Sequence, residues 1–161
     1  MTTGEYNKCV DLHADGLYRF ILKNIKDEEK ARDVVQDTFE KMWLKVSDIT
    51  FEKAKSYMFT AAYHTMIDRI RREKKQGSMD EVNPRNMSHQ PVNFDLKRIL
   101  DEALAQLPEA QRSVILLRDY EGYSYEEIGQ IMSLTESQVK VYIFRGRKTL
   151  KKILGSIEAV L

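Results

Sequence analysis

The chain has 161 residues, 42% of them hydrophobic and 32% charged, with 26 Lys and Arg against 25 Asp and Glu. Such a composition suits one or two small soluble domains and excludes a chain disordered throughout. No run approaches the roughly 20 apolar residues of a membrane helix, so no membrane insertion is expected; the start, MTTGEYNKC, lacks a secretory apolar stretch, and the cytoplasm is the expected compartment.

The first predicted helix runs from about Glu5 to Ile25 and places Val10, Leu17, Phe20, Ile21 and Ile25 near one face, with Gly16 as a weak point. Cys9 lies on this helix, alone of its kind and at helical spacing from apolar neighbours, which predicts a buried small side chain. His13, His64 and His89 are scattered with no i, i+4 pair, so neither a metal nor another cofactor is expected. The second helix opens at Asp27 to Glu29, acids suited to a helix N-terminus, and carries Ala31, Val35, Phe39, Met42 and Val46 as an apolar stripe widened by Val34 and Trp43. The third, roughly Glu52 to Lys75, is apolar at Met58, Ala62, Met66 and Ile70. Together these predict a three-helix unit over 1–75.

Across 76–93 the apolar period vanishes while Gly77, Pro84 and Pro91 interrupt a polar stretch, the pattern of a flexible linker. A second unit is predicted over 94–161, again all-α. Ile99, Leu100, Ala103, Leu104 and Leu107 mark an amphipathic helix, and Pro108 is placed to open the next, which Gly122 stops. Ser124 with Glu127 spells a capping box for a short helix ending near Met132, and Thr135 with Gln138 repeats the device at the head of a long one. These are helix-turn-helix proportions.

Charge is segregated along the chain although the total nearly cancels. Between Glu136 and Glu158 every charged residue is a base. If Val139, Ile143, Gly146, Leu150 and Ile153 face a core, then Ser137, Lys140, Val141, Phe144, Arg145 and Lys148 share the opposite face. A helix so built fits the major groove of duplex DNA, its first residues at base edges and its later bases on phosphates. Ser137, Gln138 and Lys140 sit where readers belong, and Arg145, Arg147 and Lys148 where phosphate contacts belong, with Thr135 at the head of the helix in the same DNA-binding set. A solvated basic face on an ordinary hairpin is the competing account of the charge alone.

On the third helix His64, Asp68, Arg71, Arg72 and Lys75 form a polar stripe that grows basic toward its end, flanked by Thr65 and Arg69, with Tyr57 and Tyr63 nearby. Bases beside rings suit unpaired nucleotides, although core packing is the better account of the rings taken alone. A third face, Asp33, Gln36, Asp37 and Glu40 on the second helix, would repel DNA and suits a basic protein partner; plain solvation also accounts for it.

Three segments carry a resemblance to a known family. ARDVVQDTFEKMW (Ala31 to Trp43), SYMFTAAYHTMIDRIRREKK (Ser56 to Lys75) and LPEAQRSVILLRDYEGYSYEEIGQIMSLTESQVKVYIFRGRKTLKK (Leu107 to Lys152) are similar, in this order, to the segments of bacterial extracytoplasmic-function sigma factors of the sigma-70 family. The resemblance implies a subunit without catalysis that joins core RNA polymerase and selects promoters. It places the clamp coiled coil of the polymerase β' subunit on Asp33, Gln36, Asp37, Phe39, Glu40 and Met42. It places −10 promoter DNA on His64, Thr65, Asp68, Arg69, Arg71, Arg72 and Lys75, and −35 DNA on the long basic helix, including Val141 and Phe144. An anti-sigma factor is a further partner it implies. Two departures stand out: His64 occupies a position where the family often has asparagine, and Tyr142 one where arginine is frequent. Val141 and Phe144 make the outer face greasier than usual; contact with thymine methyl groups and packing against another domain both account for them. The loose linker predicts that the free chain binds DNA poorly. The alternative is a free-standing helix-turn-helix regulator, which would bind duplex tightly without polymerase.

Overall fold

The computed structural model describes residues 1–76 and 96–160, with side chains through Ser156; the stretch read as a linker lies almost wholly outside the described residues. Among the described residues the chain is helical throughout, in the order α1 (Thr3–Ile25), α2 (Glu28–Leu44), α3 (Phe51–Lys75), α4 (Leu96–Ala105), α5 (Glu109–Ile115), α6 (Tyr125–Met132) and α7 (Glu136–Val160). A 3₁₀ turn at Val46–Asp48 joins α2 to α3, and a π turn at Leu116–Tyr120 extends α5.

Local chemistry sets the ends. Thr2 and Glu5 make a reciprocal capping box at the start of α1, with bonds of 3.0 and 2.9 Å, and Lys26 closes that helix in the left-handed region at φ 61°. The Asp27 carboxylate caps α2 by accepting from the Lys30 amide at 3.1 Å. Gly122, at φ 77°, turns the chain after the π turn, a conformation an L side chain resists. The weak point expected at Gly16 does not appear: α1 runs through it unbroken.

The first unit buries Leu17, Phe20 and Ile21 of α1 against Ala31, Val34 and Met42 of α2 and Met58, Phe59, Ala62 and Met66 of α3. Cys9 is buried among them, as its spacing predicts, and burial pushes its thiol pKa up, away from the reactive thiolate. In the second unit Leu104, Leu107, Val114, Leu117, Ile128, Ile131, Val139 and Ile143 form the buried set. Trp43 departs from the expected buried stripe: it is 45% exposed, its indole resting edge-on against Tyr6 with centroids 5.0 Å apart.

The two units meet through α1 and α3 of the first and α4, α5 and α6 of the second. They dock, and their buried residues form one continuous cluster. Tyr123 inserts beside α3 with its ring edge-on to Phe59 at 5.2 Å, and only 2% of it is exposed. Polar bridges ring this contact. Arg19 donates to both carboxylate oxygens of Glu121 at 3.0 to 3.3 Å, Arg112 donates to Asn24 at 2.8 Å, and the Tyr63 hydroxyl donates to Glu109 at 2.6 Å. Lys23 pairs with Asp101. Gly16 now has a role: a Cβ there would lie 2.7 Å from a Glu121 oxygen, so its bare backbone admits that carboxylate.

Candidate nucleic-acid interface

The turn between α6 and α7 is fixed by short-range chemistry. Ser124 and Glu127 cap α6 reciprocally at 2.9 and 3.1 Å, as the sequence predicts. Ser133 then takes the left-handed conformation at φ 58°, and the Leu134 amide donates back to the Gly129 carbonyl at 2.9 Å. Leu134 comes so near α6 that a Cβ on Gly129 would lie 2.6 Å from its carbonyl oxygen. Thr135 and Gln138 form the second box, at 2.8 and 3.1 Å. On α7 itself a Cβ at Gly146 would meet the Ile115 side chain at 2.5 Å, so glycine there seats the helix against α5.

With Val139 and Ile143 buried, the predicted outer face is realised: Ser137, Lys140, Val141, Phe144, Arg145 and Lys148 are all exposed. Arg145 and Lys148 form no ion pair among the described residues. Lys140 is a long 3.8 Å from Glu136 and stands 5.9 Å from the Tyr125 ring centroid, so it is held lightly. Three of the expected contact residues are engaged elsewhere, the first being Thr135, whose hydroxyl accepts the Gln138 amide in the cap at 3.1 Å. The side-chain carbonyl of Gln138 accepts the Thr135 amide in the cap, which leaves only its NH₂ end for a base edge. Arg147 donates through two nitrogens to both Asp119 oxygens, and that pairing raises the pKa of its guanidinium. Its charge is thus partly neutralised before any phosphate approaches.

The α3 stripe keeps His64, Asp68, Arg71, Arg72 and Lys75 in solvent. Its two flanking residues turn the other way. Thr65 is 6% exposed and its hydroxyl accepts from Lys41 Nζ at 3.0 Å, so its side chain is not presented to a nucleotide. Arg69 donates to Asp37 on α2 at 3.3 Å, and Lys41 lies 3.4 Å from the same oxygen. The ring of Tyr63 takes the packing role: half-buried against Phe20, with burial first and the Glu109 bond second raising its pKa.

On α2, Asp33, Gln36 and Glu40 are exposed while Asp37 and Phe39 are half-buried. Met42 is wholly enclosed and cannot itself touch a partner, a correction to its expected role. Its neighbour takes the outside position. Trp43 and the 83% exposed Leu44 join Tyr6, Gln36, Phe39 and Glu40 around a shallow apolar groove with the Glu40 carboxylate at its edge. Periodicity could not separate Met42 from Trp43, because adjacent residues on the edge of one stripe differ by only about 100° of rotation.

Thus the structure brings together three surfaces: a cationic face on α7, a basic stripe on α3, and an acidic, apolar-grooved face on α2. The same chain segments match known proteins. A family model described as Sigma-70 region 2 matches residues 9–76, and one described as Sigma-70, region 4 matches residues 97–150. The ECF RNA polymerase sigma factor SigM of Bacillus subtilis is 27% identical over 155 residues, spanning 91% of this chain and 93% of the relative. SigL of Mycobacterium tuberculosis, described likewise, is 32% identical over 154 residues, spanning 91% and 87%. Among solved structures, the sigma factor RpoE of Bartonella quintana, in complex with the anti-sigma factor NepR, superposes with a TM-score of 0.79 at 25% identity, covering 93% of this chain and 96% of that one. CnrH in complex with the cytosolic domain of CnrY shares the fold, with a TM-score of 0.70 at 24% identity over 94% of this chain and 88% of the other.

Proposed function

The chain belongs to the sigma-70 family as an extracytoplasmic-function sigma factor, a factor for transcription initiation, and on that premise we propose that it binds core RNA polymerase through α2 and reads promoter DNA with α3 and α7. The observation that carries the reading is the opposition of charge between faces. Acids with an apolar groove on α2 suit a protein, while exposed bases on α3 and α7 suit nucleic acid.

In this reading the clamp coiled coil of the polymerase β' subunit lies on Asp33, Gln36 and Glu40, with Phe39, Trp43 and Leu44 supplying apolar contact. Asp37 acts from behind, because it already balances Arg69 and Lys41. The head of α7 enters the major groove of the −35 element, Ser137, Lys140 and the Gln138 NH₂ at base edges, Arg145 and Lys148 on phosphates. His64, Arg71, Arg72 and Lys75 collect unpaired −10 bases as the duplex opens.

Docking limits what the free chain can do. The −10 and −35 elements are centred about 25 base pairs apart, which is about 85 Å of duplex at about 3.4 Å per pair. A docked chain of this length is only about 40 Å across. It cannot reach both elements, so the two units part when polymerase fixes the promoter-spanning geometry, and an anti-sigma factor, of the kind bound to the similar sigma factor RpoE, is a partner that would keep them unavailable.

Two results test the assignments. Lys140→Ala will change which −35 sequences are used in transcription over a promoter panel, whereas Lys148→Ala will weaken all promoters alike; equal losses for both remove the base-reading role of Lys140. Asp33→Arg will lower the fraction of the chain that co-purifies with core polymerase by about tenfold while leaving helicity unchanged, since Asp33 is exposed on the rim of α2. Undiminished co-purification would take polymerase off this face. Tight gel-shift binding by the free chain would favour a free-standing regulator instead.

A further inference from the structure

Val141 and Phe144 are 43% and 68% exposed. Among the described residues no other domain encloses either side chain, which leaves the second account of their sequence positions, contact with thymine methyl groups. They stand three residues apart, so their Cβ atoms are about 5–6 Å from each other on one side of the helix. That side is the one bounded by Ser137, Lys140, Arg145 and Lys148. A phenyl ring ringed by cations is poorly placed for another apolar protein surface, because burying it would strip water from the charges beside it. The major groove resolves this conflict: phosphates along its walls take the cations, and its floor carries one apolar group, the 5-methyl of thymine.

We propose that Val141 and Phe144 are specificity-determining residues that select thymine in the −35 element by contact with its methyl group. The proposal rests on the reading that α7 lies in the −35 groove. Their separation spans between one and two base steps, so the thymines they read lie on neighbouring or next-neighbouring pairs. These pairs fall on the side of the element away from the α7 N-terminus, where Ser137 and Lys140 meet polar base edges.

The test uses the full chain assembled with purified core polymerase. Promoter duplexes randomised through the −35 element are selected for binding, and in the best of them each thymidine is replaced in turn by deoxyuridine, which lacks only the methyl. Binding is expected to weaken about fourfold at one or two neighbouring positions, the transfer value of one methyl group, and nowhere else in the element. Phe144→Ala and Val141→Ser should each remove the uridine effect at one position while helicity stays unchanged, because neither side chain belongs to the buried core. The proposal is overturned if the selected elements lack thymine, if uridine binds as thymidine does while other positions still discriminate, or if the variants keep the uridine effect. Loss of every −35 preference is a different result, because it removes α7 from the promoter altogether.

Discussion

Gly129→Val is expected to abolish −35-dependent transcription and to lower the melting temperature by about 6–12 °C. The cause is local and steric. A Cβ at position 129 would lie 2.6 Å from the Leu134 carbonyl oxygen, and that carbonyl belongs to backbone rather than to a movable side chain. Forcing branched atoms into such a contact costs about 3 kcal/mol, more than the few tenths by which valine improves on glycine as a helix former. Relief can come only by prising the turn open, which shifts the Thr135–Gln138 cap and with it the start of α7. Gly155→Val, on α7, is the control: nothing lies within 4 Å of its Cβ position, so stability should hold or rise. Thermal melts of the two variants, with transcription from a promoter that depends on its −35 element, check the contrast. Equal melts would mean that the close α6–α7 approach does not order the helix-turn-helix.

Glu121→Arg should separate the two units without unfolding either. Glu121 is only 8% exposed at its side chain and faces Arg19 across the docking surface, so the variant sets two guanidinium groups together where an ion pair stood. The new guanidinium would occupy Glu121's enclosed place, stripped of water and beside a like charge, whereas Arg19 is about half exposed and can turn to solvent. The radius of gyration in solution scattering should rise from about 15 Å, the value for a compact chain of this length, to about 20 Å or more. Far-ultraviolet dichroism should stay the same. If parting of the units is what polymerase brings about, transcription by this variant at limiting polymerase is not reduced. A radius of gyration that stays compact would show that the apolar contact of Tyr123 with Phe59 holds the units without the ion pair.

Much of this architecture is legible in the residues because it is made by neighbours in the chain. The capping boxes of α6 and α7 need only positions three apart, and the turn at Gly122 needs one residue able to take positive φ. The outer face of α7 follows from the apolar residues opposite it. What could not be read is made by residues far apart. The Arg19–Glu121 pair joins positions 102 apart and the Tyr63–Glu109 bond positions 46 apart, so docking leaves no trace in local pattern. The same holds for Arg69 and Asp37, read as members of two separate surfaces, which meet between α2 and α3. At stripe edges a single position decides. Thr65 is enclosed beside an exposed His64, and Met42 is enclosed beside an exposed Trp43. In both pairs the polar or apolar character of the residues gave no hint of which would turn inward.

Start-site mapping of transcripts made by purified core polymerase, with and without this chain, on a mixture of genomic fragments tests the central claim most directly. The account predicts that transcripts begin at a limited set of positions only when the chain is present, and that those positions share two sequence elements about 25 base pairs apart. Initiation at the same scattered sites with and without the chain would contradict it.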